Sequence, residues 1–171
     1  MGEEALNEVN IGAVAGLAGK IQEEPGVAAT KWNASVQWKG GFRSEAKVRE
    51  FGPLASDEPD ALGGTDTGPN PVEQLLAALG NCLAVGYAAN ATAAGIEIRD
   101  MNIELEGELD LHTFLGLAPD GNAGYDNISV RVHIDSDASA EQLAELHDKV
   151  VGTSPVGHTL SRAVPLKIDL A

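Results

Sequence analysis

A single cysteine, Cys82, stands in 171 residues. The chain therefore cannot close an internal disulfide, and redox chemistry at that sulfur needs a partner from another molecule. Basic residues are scarce as well: 11 Lys and Arg face 26 Asp and Glu, a formal net charge of -15. Such a balance repels phosphate backbones and anionic lipid surfaces, so neither nucleic acid nor a membrane is an expected partner. The opening residues are acidic and lack the basic-then-apolar order of a signal peptide, which makes the cytoplasm the expected location. His112, His133, His147 and His158 have no metal-ligand spacing, and the glycine-rich stretch at 63–68 lacks the Lys-Ser/Thr of a phosphate-binding loop. No metal or cofactor is expected. Hydrophobic residues at 43% are enough for one core.

The hydrophobic pattern predicts a helical appendage over residues 1–27 and one domain over residues 28–171. Ile11, Val14, Leu17 and Ile21 recur at helical spacing, and Pro25-Gly26 ends the run. A strand is predicted over residues 28–38, with Trp32, Val36 and Trp38 on a buried face. Gly40-Gly41 turns it into a second strand carrying Arg43 and Arg49 on one face. A loop through Gly63-Gly64-Thr65-Asp66-Thr67-Gly68-Pro69 leads to Asn70, a good N-cap, followed by Pro71 at the first helical position and Glu73 in the opening turn.

The helix that starts there is apolar nearly all round and runs to about Ala94, with Gly95 as its stop. It is long enough to raise the question of a membrane span, but interior Asn81 and Asn90 and the lack of basic flanks argue for a central helix. Alternating residues from Ile96 to Leu111 predict a long strand or a strand pair, and those from Ile128 to Ile134 a further strand paired antiparallel with it. A second helix follows, capped by Asp137 or Ser139, then a helical turn after Ser154-Pro155, then a closing strand through Val164, Leu166, Ile168 and Leu170. Strands grouped around two helices describe an α+β fold.

Asn70-Pro71-x-Glu73-x-Leu75-Leu76 leading to Cys82, with Ser154-Pro155-Val156 and Thr159-Leu160 much later, resembles the osmotically inducible protein C and organic hydroperoxide resistance family (OsmC/Ohr), from about Trp32 to the C-terminus. The resemblance implies antiparallel sheets wrapped around two central helices in an intertwined homodimer. It also implies a thiol peroxidase that reduces small organic hydroperoxides in an oxidative stress response. Cys82 matches the family's peroxide-attacking cysteine and Arg43 its thiolate-stabilising arginine, with Arg49 in reserve. Two positions depart from the pattern: Val72 stands where the family has a catalytic glutamate, and Ser154 where it has the resolving cysteine.

A peroxidatic sulfur must be a thiolate, and Cys82 lies too far inside its helix for the N-terminal dipole to ionise it. Arg43 is suited to that task because guanidinium keeps its charge and offers a fork of donors. Ser154 cannot trap a sulfenic acid, so turnover would need an external thiol reductant. Other readings of the same residues stand beside this one. Cys82 is also a natural packing residue on an apolar helix, Glu73 a helix-terminus carboxylate, and Ser154 the N-cap of the turn begun by Pro155. A non-catalytic dimer holding a small apolar ligand at its interface, and a hydrolytic pair of Cys82 with His158, complete the alternatives.

Overall fold

A computed structural model describes residues 5–170; the first four residues of the expected appendage, and Ala171, lie outside them. The elements in order are α1 (Ile11–Glu23), β1 (Ser35–Gly40), β2 (Arg43–Lys47), β3 (Leu54–Ser56), α2 (Pro71–Ala93), β4 (Asp100–Leu109), α3 (Leu111–Phe114), β5 (Tyr125–Asp135), α4 (Ala140–Thr153) and α5 (Pro155–Ser161). The fold is α+β with antiparallel sheets, as the hydrophobic pattern predicts. The chain divides into two compact units, one of residues 12–75 and the other of the residues through Ile11 with those from Leu76 onward.

The first unit carries the sheet β1-β2-β3. Gly40 and Gly41 turn the hairpin at φ +98° and +60°, values that a side chain would strain. Two expectations are corrected here. The first strand begins at Ser35, because Pro25–Ala28 forms a 3-10 turn and the partner strand reaches back only from Lys47 opposite Ser35. Its apolar face is also uncovered among the described residues, with Trp38 72% exposed and Val36 68%. α1 likewise has no buried residue.

At the end of this unit the chain enters α2 through a reciprocal cap. Asn70 Oδ1 accepts from Glu73 N at 2.9 Å while Glu73 Oε2 accepts from Asn70 N at 2.8 Å. Glu73 is thus held as a capping-box carboxylate, an arrangement that stabilises a helix start by about 1 kcal/mol.

The second unit holds the core. Leu79, Leu83, Tyr87 and Ala91 of α2 pack with Ile96, and with Leu146 and Val150 of α4. β4 alternates as expected, with Met101, Ile103 and Leu105 facing the cluster and Glu104, Glu106 and Glu108 exposed, and it pairs antiparallel with β5 from Asp100 opposite Asp135 to Leu109 opposite Tyr125. Glycines bring the elements close: a Cβ at Gly80 would lie 2.8 Å from Leu105 Cδ1, and one at Gly86 2.9 Å from Val150 Cγ1. α2 is the one helix among the described residues long and apolar enough to cross a membrane. Its buried face is the core just described.

Three local features complete the unit. Ser139 caps α4 in a capping box with Gln142. Gly95 ends α2 at φ +72°, and Asn7 finishes that helix end by donating from Nδ2 to Thr92 Oγ1 and Ile96 O while Oδ1 accepts from Ile98 N. The closing strand is a third correction: the segment after α5 pairs with no strand among the described residues, and its alternating Leu166 and Ile168 are left more than four-fifths exposed.

Candidate functional site at Cys82

Twelve residues into α2, Cys82 is half-buried and free. The chain returns to it where α4 meets α5. Thr153 ends α4, and Ser154, extended at φ -68° and ψ 115°, is at once the last residue of that corner and the N-cap of α5. Pro155 occupies the first helical position, where its missing N–H costs nothing. Ser154 is buried, and its Oγ accepts from Gly157 N at 3.1 Å.

The same oxygen lies 3.4 Å from Cys82 Sγ. A hydroxyl has one proton and two lone pairs. With one lone pair taken by Gly157 N–H, Ser154 still has its proton to give to a thiolate, or its second lone pair to receive a thiol proton. The serine thus stands beside the sulfur where the resemblance would put a second thiol. It can hold that sulfur in place but cannot form a sulfur–sulfur bond with it.

The other anticipated residues are placed as follows. Arg43 belongs to the unit of residues 12–75, where it is exposed; its Nε donates to Gly40 O at 3.3 Å and it forms no ion pair among the described residues. Arg49 is not on the strand face with Arg43, because β2 ends at Lys47; it sits in a turn at φ +51° with its guanidinium carbon 4.6 Å above the Phe51 ring. Val72 is the second residue of α2, with no acid to offer. Among the described residues, the hydrogen bond of the sulfur goes to Ser154 rather than to His158, which leaves the hydrolytic pair unsupported. No group of His, Cys, Asp and Glu among them could hold a metal ion.

One residue that sets up the entry to α2 was not singled out in the sequence. Asp57, 1% exposed, accepts from Glu58 N, from Thr65 N and Oγ1, and from Thr67 N and Oγ1. These donors, led by the Thr65 hydroxyl, hold its carboxyl far below the usual carboxylate range. The signal was the Thr-x-Thr within the glycine-rich loop.

The chain resembles known proteins at this level of architecture. A family model described as OsmC-like protein matches residues 64–169. Among solved structures, an OsmC like protein from Mycoplasma pneumoniae aligns over 77% of this chain and 88% of its own at 22% identity, with a TM-score of 0.67. An organic hydroperoxide resistance protein OsmC from Legionella pneumophila aligns over 77% and 91% at 18% identity, TM-score 0.56. An organic hydroperoxide resistance protein from Elizabethkingia anophelis aligns over 75% and 88% at 17% identity, TM-score 0.55. Likeness at these identities shows the fold. No curated protein matches the chain.

Proposed function

Because the chain belongs to the OsmC-like family, we propose that it acts in peroxide defence, reducing organic hydroperoxides through Cys82 alone with an external thiol completing the cycle. The observation that carries this reading is the half-buried sulfur 3.4 Å from a hydroxyl at the corner between α4 and α5. The names of the Legionella and Elizabethkingia structures support the substrate class.

In the first step the Cys82 thiolate attacks the outer oxygen of the hydroperoxide. The O–O bond breaks, the sulfur is oxidised to a sulfenic acid, and the alkoxide leaves as an alcohol after taking a proton from water. Arg43, from either copy of a dimer, supplies the positive charge that favours the thiolate. In the second step a small dithiol attacks the sulfenic sulfur, water leaves, and a mixed disulfide forms. Its other thiol then releases Cys82 and closes the disulfide of the reductant.

The working unit in this reading is a homodimer in the cytoplasm. Support comes from apolar surface that the described residues leave uncovered: Trp38, Val36 and Phe42 on the hairpin, and Leu166 and Ile168 in the closing segment. A second copy of the chain would cover such a surface.

The test is consumption of cumene hydroperoxide with a small dithiol as reductant. The intact protein turns over, Cys82→Ser does not, and Arg43→Ala is slower by about tenfold or more. Consumption no faster than that of Cys82→Ser refutes the proposal.

A further inference from the structure

The connection between β4 and β5 is longer than the two strands need. Leu109 and Tyr125 are the last pair of the ladder, so residues 110–124 close a hairpin that about two to five residues usually close. The loop holds its own shape. Asp110 Oδ1 accepts from His112 N at 2.9 Å and starts α3, Thr113 Oγ1 donates to Ala118 O at 2.9 Å, and Gly121 N donates to the same oxygen at 3.1 Å. Gly116 breaks the helix at φ +74°. At the far end Asn122 donates from Nδ2 to Asp126 Oδ1 at 3.0 Å, while its Oδ1 accepts from Gly124 N at 3.0 Å.

The apolar side chains of the loop take no part in that framework. Phe114, Leu115 and Leu117 are each more than half exposed among the described residues, and none packs in the core. The polar groups bond to one another and the apolar ones are left to solvent, the reverse of an ordinary surface loop. Beside them a groove of about 510 Å³ opens, walled by Leu109, Leu111, Leu115 and Leu117. Contiguous exposed apolar surface with a polar rim marks an interaction site.

The rim decides what chemistry fits. Glu108, Asp110 and Asp126 line the groove, and no Lys or Arg does. Between Arg99 and Arg131 the chain places seven Asp and Glu and no Lys or Arg, although it carries 11 of the latter in all. Glu108 makes no ion pair and no side-chain hydrogen bond among the described residues. An acidic partner would be repelled by this rim. A basic partner without an apolar anchor would be held only by screened surface charge, which is weak.

We propose that the 110–124 loop docks a basic amphipathic segment of another protein, its apolar anchor in the leucine groove and its Lys or Arg side chains against Glu108 and Asp126. Cys82 is not part of the groove, and the inference does not depend on peroxide reduction.

The test is fluorescence anisotropy of the intact protein, without peroxide, with three labelled helical peptides. One has leucine at every third or fourth position and lysine elsewhere, the second has serine for each leucine, and the third has glutamate for each lysine. The first binds, the second binds about tenfold more weakly or worse, and the third does not bind. Leu115→Ser combined with Leu117→Ser removes exposed side chains only, and circular dichroism checks the fold. This variant lowers affinity for the first peptide by about tenfold. Glu108→Gln lowers it by about threefold, while Glu23→Gln, the same charge change outside the groove, leaves it unchanged. A leucine-to-serine variant that binds the first peptide as before overturns the proposal, because attraction to the acidic surface then accounts for all of the binding. So does equal binding of the first two peptides, or an equal loss from Glu108→Gln and Glu23→Gln. Absence of binding also overturns it, and is the result expected if a second copy of the chain covers the loop.

Discussion

Ser154 Oγ and Cys82 Sγ lie 3.4 Å apart across 72 residues of sequence. That juxtaposition gives the first prediction. Ser154→Cys puts a second thiol beside the first, so one equivalent of hydroperoxide converts both thiols to an internal disulfide with loss of water. Thiol titration and mass spectrometry then find no free thiol in a monomeric chain, without any added reductant. Disulfide between chains instead would show that the corner does not present residue 154 to the sulfur.

Asn7 ties the segment before α1 to the end of α2 through two donated bonds and one accepted bond. Asn7→Ala leaves Ile98 N and Ile96 O without these partners and costs roughly 1–3 kcal/mol. Urea unfolding measures it; an unchanged midpoint would mean that water replaces the side chain at no loss.

The two helix glycines separate by what they meet. A methyl at Gly86 runs into Val150 Cγ1, on a stiff β-branched side chain, and Gly86→Ala costs roughly 1–3 kcal/mol by overpacking. A methyl at Gly80 meets the far end of Leu105, which can turn aside. Gly80→Ala is therefore close to neutral, since the helix gains about 1 kcal/mol in propensity. Thermal melts of the two variants check the order.

The Asp57 clamp makes stability depend on acid. Its folded carboxyl is held below the unfolded value of about 3.9. The clamp therefore contributes in full above that pH and loses its contribution as the pH falls toward the folded value. Asp57→Asn lowers the melting temperature at neutral pH, and the difference from the intact protein shrinks on acidification below about pH 4. A difference that stays constant down to the lowest pH would contradict the assignment.

What the sequence discloses is what local chemistry decides. Asn70, Pro71 and Glu73 name the start of α2 because a cap is made within four residues, and Gly95 names its end for the same reason. β4 and β5 are legible because one face is buried in this chain and the other is not. β3 is not, because three residues become a strand only by pairing with β2. Asp57 escapes notice because its donors arrive from a loop without periodicity. Val36, Trp38, Leu166 and Ile168 alternate as strand residues do, but alternation says only that a face is apolar, not what covers it. At the site, Cys82 and Ser154 come together through the family likeness of their motifs, since nothing in their spacing would join them. The place of Arg49 was misread, because a turn at positive φ ends the strand before it.

Peroxide reduction by this protein requires Cys82 to be a reactive thiol. The direct measurement is trapping with dimedone after brief exposure of the reduced protein to cumene hydroperoxide, with the modified residue located by mass spectrometry. One adduct per chain is expected, on Cys82, absent from Cys82→Ser and reduced in Arg43→Ala. An intact protein that carries no adduct under excess hydroperoxide, its thiol still free, would contradict it.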